Sequence, residues 1–134
     1  MHKTVNDIIA KKGSKKISVV TSYDYTMATL CDQVDVLLVG DSAGMVMLGY
    51  ENTAPVTMDE MVLFTKAVSN GRQNALIVAD LPNKSYENEA DAVANSERLI
   101  RAGADAVKLE GRLPDIIRAI IKAGIPVMGH LGLL

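Results

Sequence analysis

The chain has 134 residues, 49% of them hydrophobic and 22% charged, with a formal net charge of −2. That is enough for one domain with a real core, and it offers no basic field to recommend nucleic acid or an anionic lipid surface as a partner. Aromatic residues are only 4% with no Trp, Cys31 is the single cysteine, and no apolar run approaches the ~18 residues of a membrane span, so base-stacking platforms, disulfide frameworks, cysteine zinc sites, signal cores and membrane helices are all excluded. A reducing cytoplasm is the expected setting, and Cys31 reads as a small buried residue near a helix end.

In chain order, Thr4 to Gly13 reads as a short helix, capped by Thr4 with Asp7 at the box position, striped by Val5, Ile8 and Ile9, and closed by Gly13. The preceding His2 reads as frayed. Ile17 to Thr21 is a β-branched strand, Tyr23 to Cys31 a helix, and Val34 to Val39 a continuous apolar strand buried on both faces. A long loop is expected from Gly40 to Val56, with Met45, Met47 and Met58 as core filler. Thr57-Met58-Asp59-Glu60 is a capping box opening a helix to about Asn70. Ala75 to Ala79 is a third strand, and Asn88 caps a helix that Gly103 stops. Ala106 to Leu109 is a fourth strand. Pro114 starts a helix with Ile116, Ile117, Ile120 and Ile121 on one face, and Val127 and Met128 begin a fifth strand. Arg101-Ala102-Gly103 and Lys122-Ala123-Gly124 end two successive helices alike, each just before an apolar strand. Strand and helix alternate with short returns, which demands a parallel sheet in one α/β domain.

The chemistry gathers after the strands. They run into Thr21-Ser22-Tyr23-Asp24, Gly40-Asp41-Ser42, Asp80-Leu81-Pro82, Glu110-Gly111 and Gly129-His130. In parallel βα folds the carboxyl ends of the strands converge on one ligand-binding rim. Alternation along Val107-Lys108-Leu109-Glu110 puts Lys108 and Glu110 on one face, pointing into the mouth, where burial requires pairing or a ligand. The same parity puts Asp80 on the face of Val78 and Asp41 on the face of Val39 and Leu37. Asp41, Asp80 and Glu110 are then expected to approach one another, repelling and raising each other's pKa until a cation relieves them. An oxygen-only set favours Mg²⁺, or Mn²⁺, over zinc. Any one acid alone reads as a helix cap or as the partner of a lysine, as Glu110 of Lys108; three at consecutive strand ends read as a cation site. The segment Gly40 to Met45 reads either as a backbone cradle for an anion or as a turn needing positive φ, and His130 either as a ligand's hydrogen-bond donor or as a strand-end cap.

Five segments occur together and in order: Thr21-Ser22-Tyr23-Asp24, Gly40-Asp41-Ser42-Ala43-Gly44-Met45, Ala79-Asp80-Leu81-Pro82, Val107-Lys108-Leu109-Glu110-Gly111 and Gly129-His130-Leu131-Gly132-Leu133. Each is weak alone, but as a set this sequence resembles the ketopantoate hydroxymethyltransferase (3-methyl-2-oxobutanoate hydroxymethyltransferase) family of pantothenate biosynthesis, from about Val5 onward. The resemblance implies the N-terminal part, about five βα units, of a (β/α)8 TIM barrel. It also implies Mg²⁺-dependent transfer of a one-carbon unit from 5,10-methylenetetrahydrofolate to the small 2-oxo acid 3-methyl-2-oxobutanoate, giving 2-dehydropantoate. Asp41, Asp80 and Glu110 match the family's metal-site acids. Asp41, Ser42, Asp80 and Lys108 match its oxo-acid contacts, and His130 matches its supporting strand-end histidine. Asn83 stands where the family has an aromatic after Leu-Pro. A full barrel takes ~250 residues, so the chain is expected to be truncated at Leu134, with the family's general-base glutamate beyond it and a homo-oligomer expected at full length. Two other readings stand beside this one: a Mg²⁺-dependent carbon–carbon lyase of the phosphoenolpyruvate-mutase and isocitrate-lyase type, and an inactive metal-binding or self-associating half barrel.

Overall fold

A computed structural model describes residues 1–133. The elements follow the chain as α1 (Val5–Ile9), β1 (Val19–Thr21), α2 (Tyr25–Cys31), β2 (Val36–Val39), α3 (Ala43–Leu48), α4 (Met58–Gly71), β3 (Leu76–Asp80), α5 (Glu89–Arg101), β4 (Ala106–Glu110), α6 (Pro114–Lys122) and β5 (Val127–His130). The start signals act as expected. Thr4 with Asp7 and Thr57 with Glu60 form reciprocal capping boxes, Asn88 caps α5, and Pro114 sits in the first turn of α6. Gly103 closes α5 at φ +109°, where a Cβ would also fall 2.0 Å from the Ser69 hydroxyl.

Several boundaries differ from the sequence reading. α1 stops at Ile9 instead of continuing to Gly13, because no large apolar residue follows to dock a further turn and Ile9 itself faces solvent. α2 begins after Asp24, whose carboxylate accepts from the Met27 N–H at 2.8 Å, so Asp24 is a cap. The stretch from Gly40 to Val56 is no continuous loop, since it contains α3. On α3, Met45 and Met47 are exposed, not core filler, whereas Met58 packs partly buried against the core.

The five strands form one parallel sheet in the order β1-β2-β3-β4-β5. Strand order equal to sequence order, with each crossover helix on one face, is the arrangement of consecutive units of a βα barrel. Leu37, Val39, Ile77, Ala79, Val107 and Leu109 pack under the outer helices against Met61, Phe64, Val68, Leu99 and Ile120. Alternate residues of β2, β3 and β4, namely Val36, Leu76, Val78 and Ala106, form a second cluster on the inner face, over which Val5 and Ile8 of α1 lie. No helix among the described residues is long and apolar enough to cross a membrane.

Three aspartates tie the strands together at their N-terminal ends, and none was singled out in the sequence. Asp32 accepts from the backbone N–H groups of Gln73, Asn74 and Ala75, and from the Asn74 side chain at 2.7 Å. Asp35 accepts from the Ser18 N–H at 3.0 Å and pairs with Lys11. Asp105 accepts from the Ile77 N–H at 2.8 Å and pairs with Arg72 at 3.3 Å and with His2 at 3.0 Å. His2 is therefore tied down and not frayed.

Asp32→Ala leaves several inward-facing N–H donors without an acceptor and should cost on the order of 3 kcal/mol in denaturant unfolding. The Asp35 carboxyl, bonded by Lys11 and Ser18, is held at about 2 against an ordinary 3.8. A lowered native pKa contributes stability that is whole above pH 3.8 and is lost as pH falls through about 2. Asp35→Asn should therefore flatten the acid limb of the stability–pH curve, read by denaturant midpoints between pH 2 and 6.

Candidate active site

The last residue of β3 and the two polar residues of β4 converge at the carboxyl end of the sheet. Asp80 lies on the inner face with Leu76 and Val78, and its register partner is Lys108. The Lys108 ammonium sits 3.2 Å from the Asp80 carboxylate and 3.7 Å from that of Glu110. Glu110 is paired in register with His130, whose Nδ1 lies 2.9 Å from Oε1 of Glu110. The expected face of Lys108 and Glu110 is thus what the fold presents, with Lys108 wedged between two acids.

Asp41 reaches the same mouth by a different route from the one parity suggests. Leu37 and Val39 face the helices, so extending β2 by two residues would have carried Asp41 outward with them. The strand instead ends at Val39, and the turn at Gly40 swings Asp41 over the mouth, where its backbone N–H donates to Oδ2 of Asp80 at 3.1 Å. A Cβ on Gly40 would meet the Ser42 hydroxyl at 2.9 Å and the Asp80 carboxylate at 3.6 Å, which is why this turn carries none. The cradle reading of Gly40 to Met45 finds its anion inside the chain, in Asp80. Ser42 stands at the N-terminus of α3 without capping it, because its hydroxyl is engaged by the Tyr23 hydroxyl at 2.7 Å.

Asp41, Thr53, Asp80, Tyr86, Lys108 and Glu110 line one cavity of about 130 Å³. That is below the ~300–1,000 Å³ of drug-sized sites, so it suits an ion and a very small organic acid. Burial pushes the Asp41 carboxyl up, as do the charges of Asp80 and Glu110, against the pull of Lys108 and a hydrogen bond from Thr53. Burial likewise pushes Asp80 up, opposed by Lys108 and the Asp41 N–H. Three carboxylates against one ammonium leave a formal charge of −2 in the cavity before His130 is counted. A divalent ion suits that deficit, and the donor set is all oxygen. Among the described residues no three His, Cys, Asp or Glu side chains are already gathered as a ligand set, because Lys108 occupies the space between Asp80 and Glu110. Thr53 and Tyr86 were missed in the sequence, since they come from loops whose approach depends on tertiary packing. A larger hollow of about 610 Å³ lies on the outer helix layer, beside Lys66, Ser69, Arg98 and Gly103, away from the strand ends.

Residues 2–134 match the sequence profile of the Ketopantoate hydroxymethyltransferase family. The 3-methyl-2-oxobutanoate hydroxymethyltransferase of Nitrosopumilus maritimus is 66% identical over 99% of this chain. That of Cenarchaeum symbiosum is 64% identical over 92% of it. The chain belongs to the ketopantoate hydroxymethyltransferase family. It spans about half the length of these relatives, 50% and 48% respectively. Among solved structures, a phosphonopyruvate hydrolase crystallised with oxalate and Mg²⁺ superposes with TM-score 0.76 at 13% identity, covering 95% of this chain and 52% of that one. A 2,3-dimethylmalate lyase, described as a phosphoenolpyruvate mutase/isocitrate lyase superfamily member, gives TM-score 0.67 at 18% identity, covering 96% and 51%. These likenesses establish the fold, a partial α/β barrel matching about half of each.

Lys108 holds two acids together, so Lys108→Met should cost about 3 kcal/mol of unfolding free energy. Adding Asp80→Asn should restore most of the loss, because one of the stranded charges is removed with it; a double-mutant cycle in urea reads the coupling.

Proposed function

We propose that this protein transfers a hydroxymethyl group from 5,10-methylenetetrahydrofolate to 3-methyl-2-oxobutanoate, giving 2-dehydropantoate, with Mg²⁺ held by Asp41, Asp80 and Glu110. The observation that carries the proposal is the small cavity at the strand ends that joins these three acids to Lys108, in a chain whose relatives are named 3-methyl-2-oxobutanoate hydroxymethyltransferases. When bound, Mg²⁺ supplies Lewis acidity at the 2-oxo group, favouring the enolate that forms when C3 loses its proton.

The chain's own residues bind and orient. Lys108 is the one ammonium in the cavity, and it meets the substrate carboxylate as a point charge. The Asp41 N–H fixes one oxygen of Asp80 and Lys108 the other, so this carboxylate is held in one orientation before anything binds. Ser42, whose hydroxyl is engaged by that of Tyr23, does not itself line the cavity; on the family resemblance it would offer that hydroxyl to a substrate oxygen. His130 meets Oε1 of Glu110, the oxygen that Lys108 also approaches, and acts by positioning that carboxylate. Asp41, Asp80 and Glu110 are all committed to hydrogen bonds, ion pairs or the metal. On the family resemblance, the acceptor of the C3 proton is a glutamate in the half of the relatives that this chain does not span. A homo-oligomer and a cytoplasmic setting belong to the same proposal.

Loss of the C3–H signal of 3-methyl-2-oxobutanoate in D₂O, followed by NMR, tests the reading in the full-length enzyme. Exchange should require Mg²⁺, stop with a chelator, and disappear in Asp80→Asn. His130→Ala should retain exchange but weaken Mg²⁺ binding by about 10–100-fold in calorimetry, as expected for a group that orients a ligand. Absence of both Mg²⁺ and oxo-acid binding in the wild type would refute the proposal.

A further inference from the structure

Between Asp80 and α5 the chain makes a turn that is held against its own preference. Lys84 has φ +65°, the one non-glycine with positive φ among the described residues, in a region that L side chains avoid. The residue after it, Ser85, is buried and clamps the turn. Its N–H and its hydroxyl both donate to the Pro82 carbonyl, at 3.1 and 2.7 Å, and its own carbonyl accepts from the Asn95 side chain of α5 at 2.8 Å. Strain held this firmly fixes the direction of the next residue, Tyr86.

The Tyr86 ring is half-buried and packs against the helix-side core. It lines the 130 Å³ acid cavity on one side. On the other it lines a neighbouring cavity of about 230 Å³ walled by Leu113 and Ile116. Asn83 and Tyr86 are the two residues common to both cavities, and Asn83 is exposed at the surface. The half-buried ring therefore stands between a polar, acid-lined chamber and a more apolar one.

We propose that Tyr86 is a specificity-determining residue that limits the carbon-chain length of the acid bound beside Asp80 and Lys108. The inference rests on the 2-oxo-acid reading above and adds the group that selects among such acids. A 2-oxo acid has a charged head and an alkyl tail. The head requires Lys108 and the carboxylate-held cation, and the tail requires apolar surface, which in the acid cavity means Ala54, Leu81 and the Tyr86 ring. With the ring in place the tail ends against it. Without the ring the two chambers join, and a longer tail reaches Leu113 and Ile116.

The test compares Kd for 3-methyl-2-oxobutanoate and for linear 2-oxohexanoate, by calorimetry with Mg²⁺, in wild type, Tyr86→Ala, Tyr86→Leu and Tyr86→Phe. The preference should move toward 2-oxohexanoate by about tenfold or more in Tyr86→Ala, the lower end of what a change in apolar pocket size discriminates. Tyr86→Leu should move it by less, and it keeps an apolar side chain if the alanine variant fails to fold. Tyr86→Phe should leave the ratio as in wild type. Wild-type binding of both acids with an unchanged ratio in folded Tyr86→Ala or Tyr86→Leu overturns this inference alone. So does a Tyr86→Phe shift as large as that of alanine, which would assign the effect to the hydroxyl. Wild type that binds no 2-oxo acid overturns the functional reading, and this inference with it.

Discussion

Asp80 closes a strand whose other four residues are entirely buried, and three chain segments meet on its carboxylate. The β4 lysine approaches one oxygen and the backbone N–H that follows β2 binds the other. A buried carboxylate left alone would be costly enough to neutralise itself or disrupt the strand end. Held from both neighbours, it fixes where β2 stops, how the Gly40 turn is aimed and where Lys108 stands. Glu110 and His130 then follow from the register of β4 and β5. The mouth is in this sense organised outward from one acid.

The molecule uses aspartate in two opposed ways, and the polarity of the sheet separates them. At the strand starts Asp32, Asp35 and Asp105 are saturated by backbone N–H groups and basic side chains. Asp32 and Asp35 are accordingly more acidic than usual. At the strand ends Asp41 and Asp80 are crowded by burial and by the charge of Glu110, with that of Asp80 added at Asp41, and both are less acidic than usual. The first group joins strands and needs nothing further. The second retains unmet negative charge, as expected of a binding site.

Much of this was legible in the sequence wherever a local rule decides structure. The capping boxes at Thr4 and Thr57, the cap at Asn88, the Pro114 start and the alternation in β4 depend on neighbours three or four residues away at most, and they survive folding unchanged. The acids and Lys108 at the strand ends were legible because a parallel sheet sends all its carboxyl ends to one rim. Asp41 shows where such reasoning fails. Parity is meaningful only within a strand, and a glycine turn of two residues moved the side chain from the outer face to the mouth. Asp32 and Asp105 were invisible because their partners lie more than 25 residues away, at Ala75 and Ile77. Thr53 and Tyr86 belong to loops with no periodicity to place them.

The strand order bears on how the chain assembles. Because each strand pairs with the one made just before it, each new βα unit can dock on the sheet edge already formed. The contact between His2 and Asp105, 103 positions apart, breaks this local pattern. It cannot form until β3 is paired and the start of β4 has been synthesised. Lys3 already meets the carbonyls of Val34 and Asn74, so the His2 contact is a second fastening of the same segment, added only once the chain has reached the threshold of β4.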